Sequence, residues 1–193
     1  MSRPRGFDLN HAIDAAMAAF WSKGYTATSA QDLVDSTGLG RGSLYNTFGS
    51  KRDLFVAALR RYDGENTSRL VELLEEGEGP APDRIRAVLM SVVDEEAAEV
   101  PERRGCLVVN SAMELAGQDA EVTDLVRRTF VRMEEALSVC IQQGQRDGVI
   151  GADQDPRCLA QYLLNSMYGL RVLGKVADRR TLTGIVDKTL LAL

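Results

Sequence analysis

From Leu9 to Leu193 apolar residues recur at intervals of three and four, and no segment sustains the polar–apolar alternation of a half-buried strand. A chain with that period buries its apolar surface by packing helix on helix, so the expected fold class is all-α. Leu9, Ile13, Met17 and Phe20 make the first apolar stripe, with Asp8 placed to cap its start and Gly24 to stop it at positive φ. The run TSAQDL offers two capping boxes, Thr28 with Gln31 or Ser29 with Asp32, for a short helix carrying Leu33 and Val34 and ending at Gly38. A third short helix spans about 41–47. Ser50 caps a fourth that begins at Lys51 and carries Leu54, Phe55, Ala58, Leu59 and Tyr62 to about residue 76, with Gly64 as a point of bending.

The segment GEGPAPD, residues 77–83, is the sharpest break in composition. Beyond it the periodicity predicts helices at about 83–99, 106–116, 119–147, 155–177 and 179–193, making about nine in all. The chain then divides into a three-helix domain, 1–50, and a larger helical domain, 51–193, joined by the helix 51–76. In the last two helices, Leu159, Leu163, Met167 and Leu170 form one stripe, and Leu182, Ile185, Val186 and Leu190 another. Tyr162, Val172 and Val176 add apolar surface outside the stripe, while Gly169 and Gly174 allow close backbone approach. A helix apolar on more than one side is covered by more than its own domain, so both stripes are expected at a homodimer interface.

The stretch STGLGRGSLYNTFGSK, residues 36–51, is dense enough in glycine to suggest a phosphate loop. A dinucleotide fingerprint, however, needs three glycines after a strand; here the third position is Ser43 and the preceding AQDLVDST has a helical pattern. The order Gly49, Ser50, Lys51 also fails the Walker pattern. What remains is a short helix, a glycine-containing turn and a second short helix, which is a helix-turn-helix. Charge agrees with that reading. Residues 1–61 hold eight Lys or Arg against five Asp, whereas residues 62–193 hold fifteen against twenty-three acids, so one basic end sits on an acidic protein.

Enzyme chemistry has little support. His11 is the sole histidine, there is no G-x-S-x-G, and no cluster has metal-ligand spacing, so no catalytic residue, metal or cofactor is expected. Cys106, Cys140 and Cys158 are an odd, widely spaced set, read as reduced thiols. No apolar run approaches the length of a membrane span, and the arginine-bearing start lacks an apolar signal core, so a cytoplasmic location without membrane contact is expected.

The run AFWSKGYTATSAQDLVDSTGLGRGSLYNTFGSKRDLF resembles the N-terminal domain of the TetR family of bacterial transcriptional regulators, with G-Y-x-x-T-S, the glycine turn and L-Y-x-x-F-x-S-K in order. The resemblance implies a homodimeric regulator, most simply a repressor, that binds a palindromic double-stranded DNA operator and is released by an unidentified small-molecule effector. It places the recognition helix at residues 41–48 in the major groove, with Arg41 and Ser43 facing base edges and Tyr45 and Lys51 on phosphates. Thr28, Ser29, Gly40, Gly42, Asn46 and Thr47 complete the implied DNA surface, and Leu33, Leu44 and Phe48 hold the helices against the first. Gly40 replaces the Ser or Thr frequent in the family, removing one side-chain contact. Arg3 and Arg5 are candidates for a minor-groove arm or a free tail.

The same resemblance implies an effector pocket in the C-terminal domain, with Met90, Cys106, Val109, Asn110, Met113, Tyr162, Tyr168 and Arg171 as candidates. RGCLVVN is similar to a branch of the family that senses electrophiles and oxidants. Cys106 follows Arg103 and Arg104 and begins a helix, an arrangement that favours a thiolate. The alternatives to a ligand-released repressor are therefore a sensor acting through Cys106 and a ligand-independent activator.

Overall fold

The computed structural model describes residues 8–98 and 104–193, and among them every regular element is helical. Arg3, Arg5 and Arg103 lie outside the described residues. The helices are α1 (Leu9–Lys23), α2 (Ala30–Thr37), α3 (Arg41–Phe48), α4, α5 (Ala81–Glu96), α6 (Leu107–Leu115), α7 (Ala120–Arg146), α8 (Pro156–Leu173) and α9 (Arg179–Thr189), the last closed by a 3-10 turn at Leu190–Ala192. Helix α4 runs through Lys51–Tyr62, a π-helical turn at Asp63–Thr67 and Ser68–Glu75. The bend expected at Gly64 is that π turn, in a run, DGENT, with no apolar residue to hold regular α-helical packing.

Side-chain caps set most of the starts. Asp8, Asp119, Asp155 and Asp178 each accept backbone N–H bonds at the head of α1, α7, α8 and α9. Of the two boxes open to α2, Ser29 with Asp32 is the one that forms, because the Thr28 hydroxyl turns back to the Gly24 carbonyl at 2.6 Å. Gly38 ends α2 at φ 68°, a left-handed conformation that a β-carbon would strain.

Two apolar cores result. One gathers Phe20, Leu33, Leu44, Leu54, Phe55, Leu59 and Tyr62 from α1–α4, and continues into Cys106, Leu107 and Val108 of the α6 start and Val122 and Val126 of α7. The other joins the far half of α4 with α5, α7, α8 and α9. The first core thus crosses the division drawn at residue 50, and the DNA-binding helices share it with α6 and α7. The α1 stripe differs from expectation by a small rotation. Ala12, Ala16 and Phe20 are buried while Leu9 is 46% exposed, because small residues let α1 lie close along α4.

Three hydrophilic ties reinforce the junction. The Arg52 guanidinium grips Asp119 at 2.5 and 2.8 Å and reaches Glu121 at 3.1 Å, and Arg60 also meets Glu121 at 3.0 Å. Arg52 is the main reason that the Asp119 carboxyl is held down at about 2, helped by the amide of Val122. Finally, Glu114 near the end of α6 accepts the Tyr25 and Thr26 amides of the α1–α2 turn at 2.8 and 2.6 Å. Its partial burial opposes the charge, but those bonds outweigh burial and lower its pKa.

Candidate nucleic-acid interface and effector cavity

Helix α3 turns one apolar side inward through the fully buried Leu44, with Phe48 packed behind it. Its other side shows Arg41, Gly42, Ser43 and Asn46 to solvent, and Tyr45 and Thr47 lie half-buried at the border. Arg41 makes no ion pair among the described residues, so its guanidinium is free to fork onto a partner. Gly40 caps α3 without a side-chain bond, leaving first-turn N–H groups open beside it. Lys51 heads α4 and crosses to the α1–α2 turn, its ammonium 3.4 Å from the Thr26 carbonyl and 4.6 Å above the Tyr25 ring. Helix α3 and the head of α4 therefore supply Arg41, Ser43, Tyr45, Asn46 and Lys51 beside the α1–α2 turn.

Thr28 does not join them. It is fully buried, and its hydroxyl is spent on the Gly24 carbonyl, so its side chain fixes the turn instead of meeting a phosphate. Ser29 is exposed, but its hydroxyl already serves the Asp32 amide and carboxylate as the α2 cap.

A cavity lies between α4, α6, α7 and α8, lined by Tyr62, Asn66, Thr67, Leu70, Cys106, Val108, Thr129, Met133, Met167, Tyr168 and Arg171. Its free space is about 20 Å³, room for one water. The Tyr62 hydroxyl is buried beside the Cys106 thiol, with no nitrogen or oxygen partner among the described residues. Burial first, and then Cys106, pushes its pKa well above the phenol range, so it stays a neutral donor. The Arg171 guanidinium, 3% exposed, is held by Glu95 at 2.5 Å and Glu96 at 3.1 Å. Burial opposes its charge, but the paired Glu95 and Glu96 carboxylates outweigh that and keep it cationic. Burial likewise raises Glu96 and Tyr168.

Of the sequence-derived pocket candidates, the cavity brings together Cys106, Tyr168 and Arg171. Met90 and Val109 are half-buried and pack into the two apolar cores, and Asn110 bridges the Arg104 carbonyl to the Lys175 ammonium outside the cavity. Met113 is 85% exposed and Tyr162 47% exposed on outward helix faces. The wall supplied by Tyr62, Asn66 and Thr67 escaped the sequence reading, although the DGENT break in α4 marked where polar side chains turn inward. The interface candidates need a larger correction. Leu159, Leu163, Met167, Leu170, Leu182 and Val186 are buried inside their own chain, and Ile185 and Leu190 pack against the same core. The six buried members of the two stripes lie on the intrachain side of their helices, while Ile185 and Leu190 stay partly open.

An exposed recognition-type helix, set by a glycine turn on a three-helix core, defines a helix-turn-helix DNA-binding protein, here with a larger helical domain around a small cavity. Comparison with known proteins fixes the family. Residues 12–58 match the model for bacterial regulatory proteins of the tetR family, and residues 81–186 match the tetracyclin repressor-like C-terminal domain. The chain is 34% identical over 194 residues to the uncharacterized HTH-type transcriptional regulator YezE of Bacillus subtilis (strain 168), covering 98% of both. It is 28% identical to the HTH-type transcriptional repressor ComR of Escherichia coli (strain K12), over 88% of this chain and 80% of that one. Among solved structures, a cysteine mutant of the TetR family regulator CifR, bound to 26-base-pair double-strand operator DNA, superposes with a TM-score of 0.87 at 30% identity, over 99% of each chain. The chain belongs to the TetR family: it is a helix-turn-helix transcriptional regulator and not an enzyme. No helix among the described residues is long and apolar enough to cross a membrane.

Proposed function

We propose that the protein is a cytoplasmic homodimeric repressor that binds a palindromic operator and lets go when a small molecule enters the cavity between α4, α6, α7 and α8. The observation that carries this reading is the shared core: Tyr62, Cys106 and Val108 line the cavity and also pack in the same cluster as Phe20, Leu33 and Leu44 of the DNA-binding helices. Residues 1–50 act as the DNA-binding unit and residues 51–193 as the effector and dimer unit, with α4 belonging to both. With free space for only one water, the cavity describes the closed state. An effector must open it, and by linkage it then binds the DNA-free form more tightly.

Dimerisation uses the outward row of α8, Tyr162, Asn165, Gly169 and Val172, which repeats at intervals of three and four as in a helix-packing seam, with Val176 just past its end. Tyr162 is 47%, Val172 52% and Val176 85% exposed, and a Cβ at Gly169 would meet nothing within 4 Å, leaving room for a close partner backbone. Two recognition helices held this way read half-sites about 34–36 Å apart. CifR bound to operator DNA supports a double-stranded operator as the partner, and ComR supports repression as the direction of control.

A second reading, an electrophile or oxidant sensor, is favoured by the position of Cys106 in the cavity wall against the buried Tyr62 hydroxyl. The DNA half of the proposal is tested by salt. Lys51→Ala is expected to weaken binding to every duplex alike and to lower the slope of log K against log salt by about 2 for the dimer, one phosphate contact per copy. An unchanged slope in filter-binding titrations refutes the phosphate role of Lys51.

A further inference from the structure

We infer that Trp21 is the positioning residue that carries the state of the Cys106 cavity to the helix-turn-helix. The inference rests on reading that cavity as the effector site. Trp21 lies in the last turn of α1, three residues before Gly24 and the turn that leads into α2. It belongs to the DNA-binding helices, yet its specific contacts are with the cavity wall. The indole Nε1 donates to the carbonyl of Gly105 at 2.8 Å, and Gly105 is the residue before Cys106. The ring meets Tyr62 edge-on at 4.9 Å between centroids, and the Arg104 guanidinium stands 5.8 Å over its face.

Gly105 sits at φ 67°, and a Cβ there would meet the Lys175 side chain and lie 3.5 Å from the Arg171 carbonyl, so Gly105 packs beside the last turn of α8. Lys175 is itself tied to Asn110 of α6 at 3.0 Å. A group that displaces Cys106 or Tyr62 must therefore shift either the acceptor of the indole hydrogen bond or the ring packed against the indole, and both changes arrive at Trp21. The far end of α6 leads to the same place, since Glu114 holds the Tyr25 and Thr26 amides of the turn, four and five residues beyond Trp21. Hydrogen bonds are directional, so a shift at either end of α6 re-aims the turn from which α2 starts and on which Lys51 rests.

Trp21 is the chain's single tryptophan, so its emission reports this contact directly. The test uses full-length protein with the exposed Cys158 replaced, Cys158→Ser, and methyl methanethiolsulfonate as the probe. The Cys106 sulfur attacks the reagent's sulfenyl sulfur; an S–S bond forms, methanesulfinate leaves with the electron pair of the broken S–S bond, and the thiol proton passes to solvent. The quantity read is the ratio of duplex affinities before and after modification, for a duplex selected from random sequence and with the adduct located by mass spectrometry.

The expected result is a loss of affinity of roughly tenfold or more together with a shift in tryptophan emission. In a Trp21→Phe background, which keeps a ring but removes the N–H, the unmodified protein should bind within about threefold of its parent while the ratio collapses towards one. A purely structural Trp21 would lower both affinities equally and leave the ratio intact, and that outcome overturns the inference. If modification of Cys106 leaves the affinity of the parent unchanged, the reading of the cavity itself fails and the inference falls with it. Should the reagent not reach the buried thiol, Cys106→Met fills the cavity permanently, and the same ratio is read between it and its parent, with and without Trp21→Phe.

Discussion

Arg41→Ala is expected to abolish the preference for the operator over random duplex while sparing most non-specific binding. Arg41 is exposed at the first position of α3, carries no ion pair among the described residues, and is flanked by Gly40 and Gly42, which present no side chain to keep a groove edge away. A guanidinium there can donate two bonds to guanine O6 and N7, each such pair discriminating by roughly 1–3 kcal/mol. A dimer loses two of them, so specific affinity should fall by roughly 30-fold to 10⁴-fold at fixed salt. Competitive gel-shift titrations check this, and a variant that keeps its discrimination places base reading elsewhere than Arg41.

Val172→Arg should break the dimer. Val172 is 52% exposed in the single chain, on the α8 row one turn beyond Gly169. Burying an unpaired arginine charge there costs on the order of 3 kcal/mol in each copy, hence roughly a 10⁴-fold loss of association. Because Val172 lies outside both apolar cores, the fold should survive. Sedimentation should then show a monomer with unchanged helicity, and a dimer of normal strength would move the interface away from α8.

Much of the fold is legible in the sequence because its helices are framed by residues with local reasons to be there. Gly38, Gly40 and Ser50 bracket α3, so its bounds follow from turn chemistry alone. Relations across the chain are less legible. Whether Leu163 or Tyr162 faces a partner cannot follow from a helix apolar on two sides, since either row satisfies the same 3.6-residue period. The cavity is hidden for a similar reason: Tyr62, Cys106 and Arg171 come from three helices, and their meeting is decided by packing rather than by any spacing. Thr28 shows a third limit. Its motif position suggested DNA, but a competing local bond to Gly24 claims the hydroxyl.

The central claim, that two copies of this chain read a symmetric operator through α3, is tested most directly by selecting bound duplexes from a random pool and sequencing them. Two inverted half-sites are expected, with centres about one or more whole helical turns apart, 10–10.5 base pairs each. Recovery of no enriched sequence, or of a single asymmetric site bound by one copy, would contradict it.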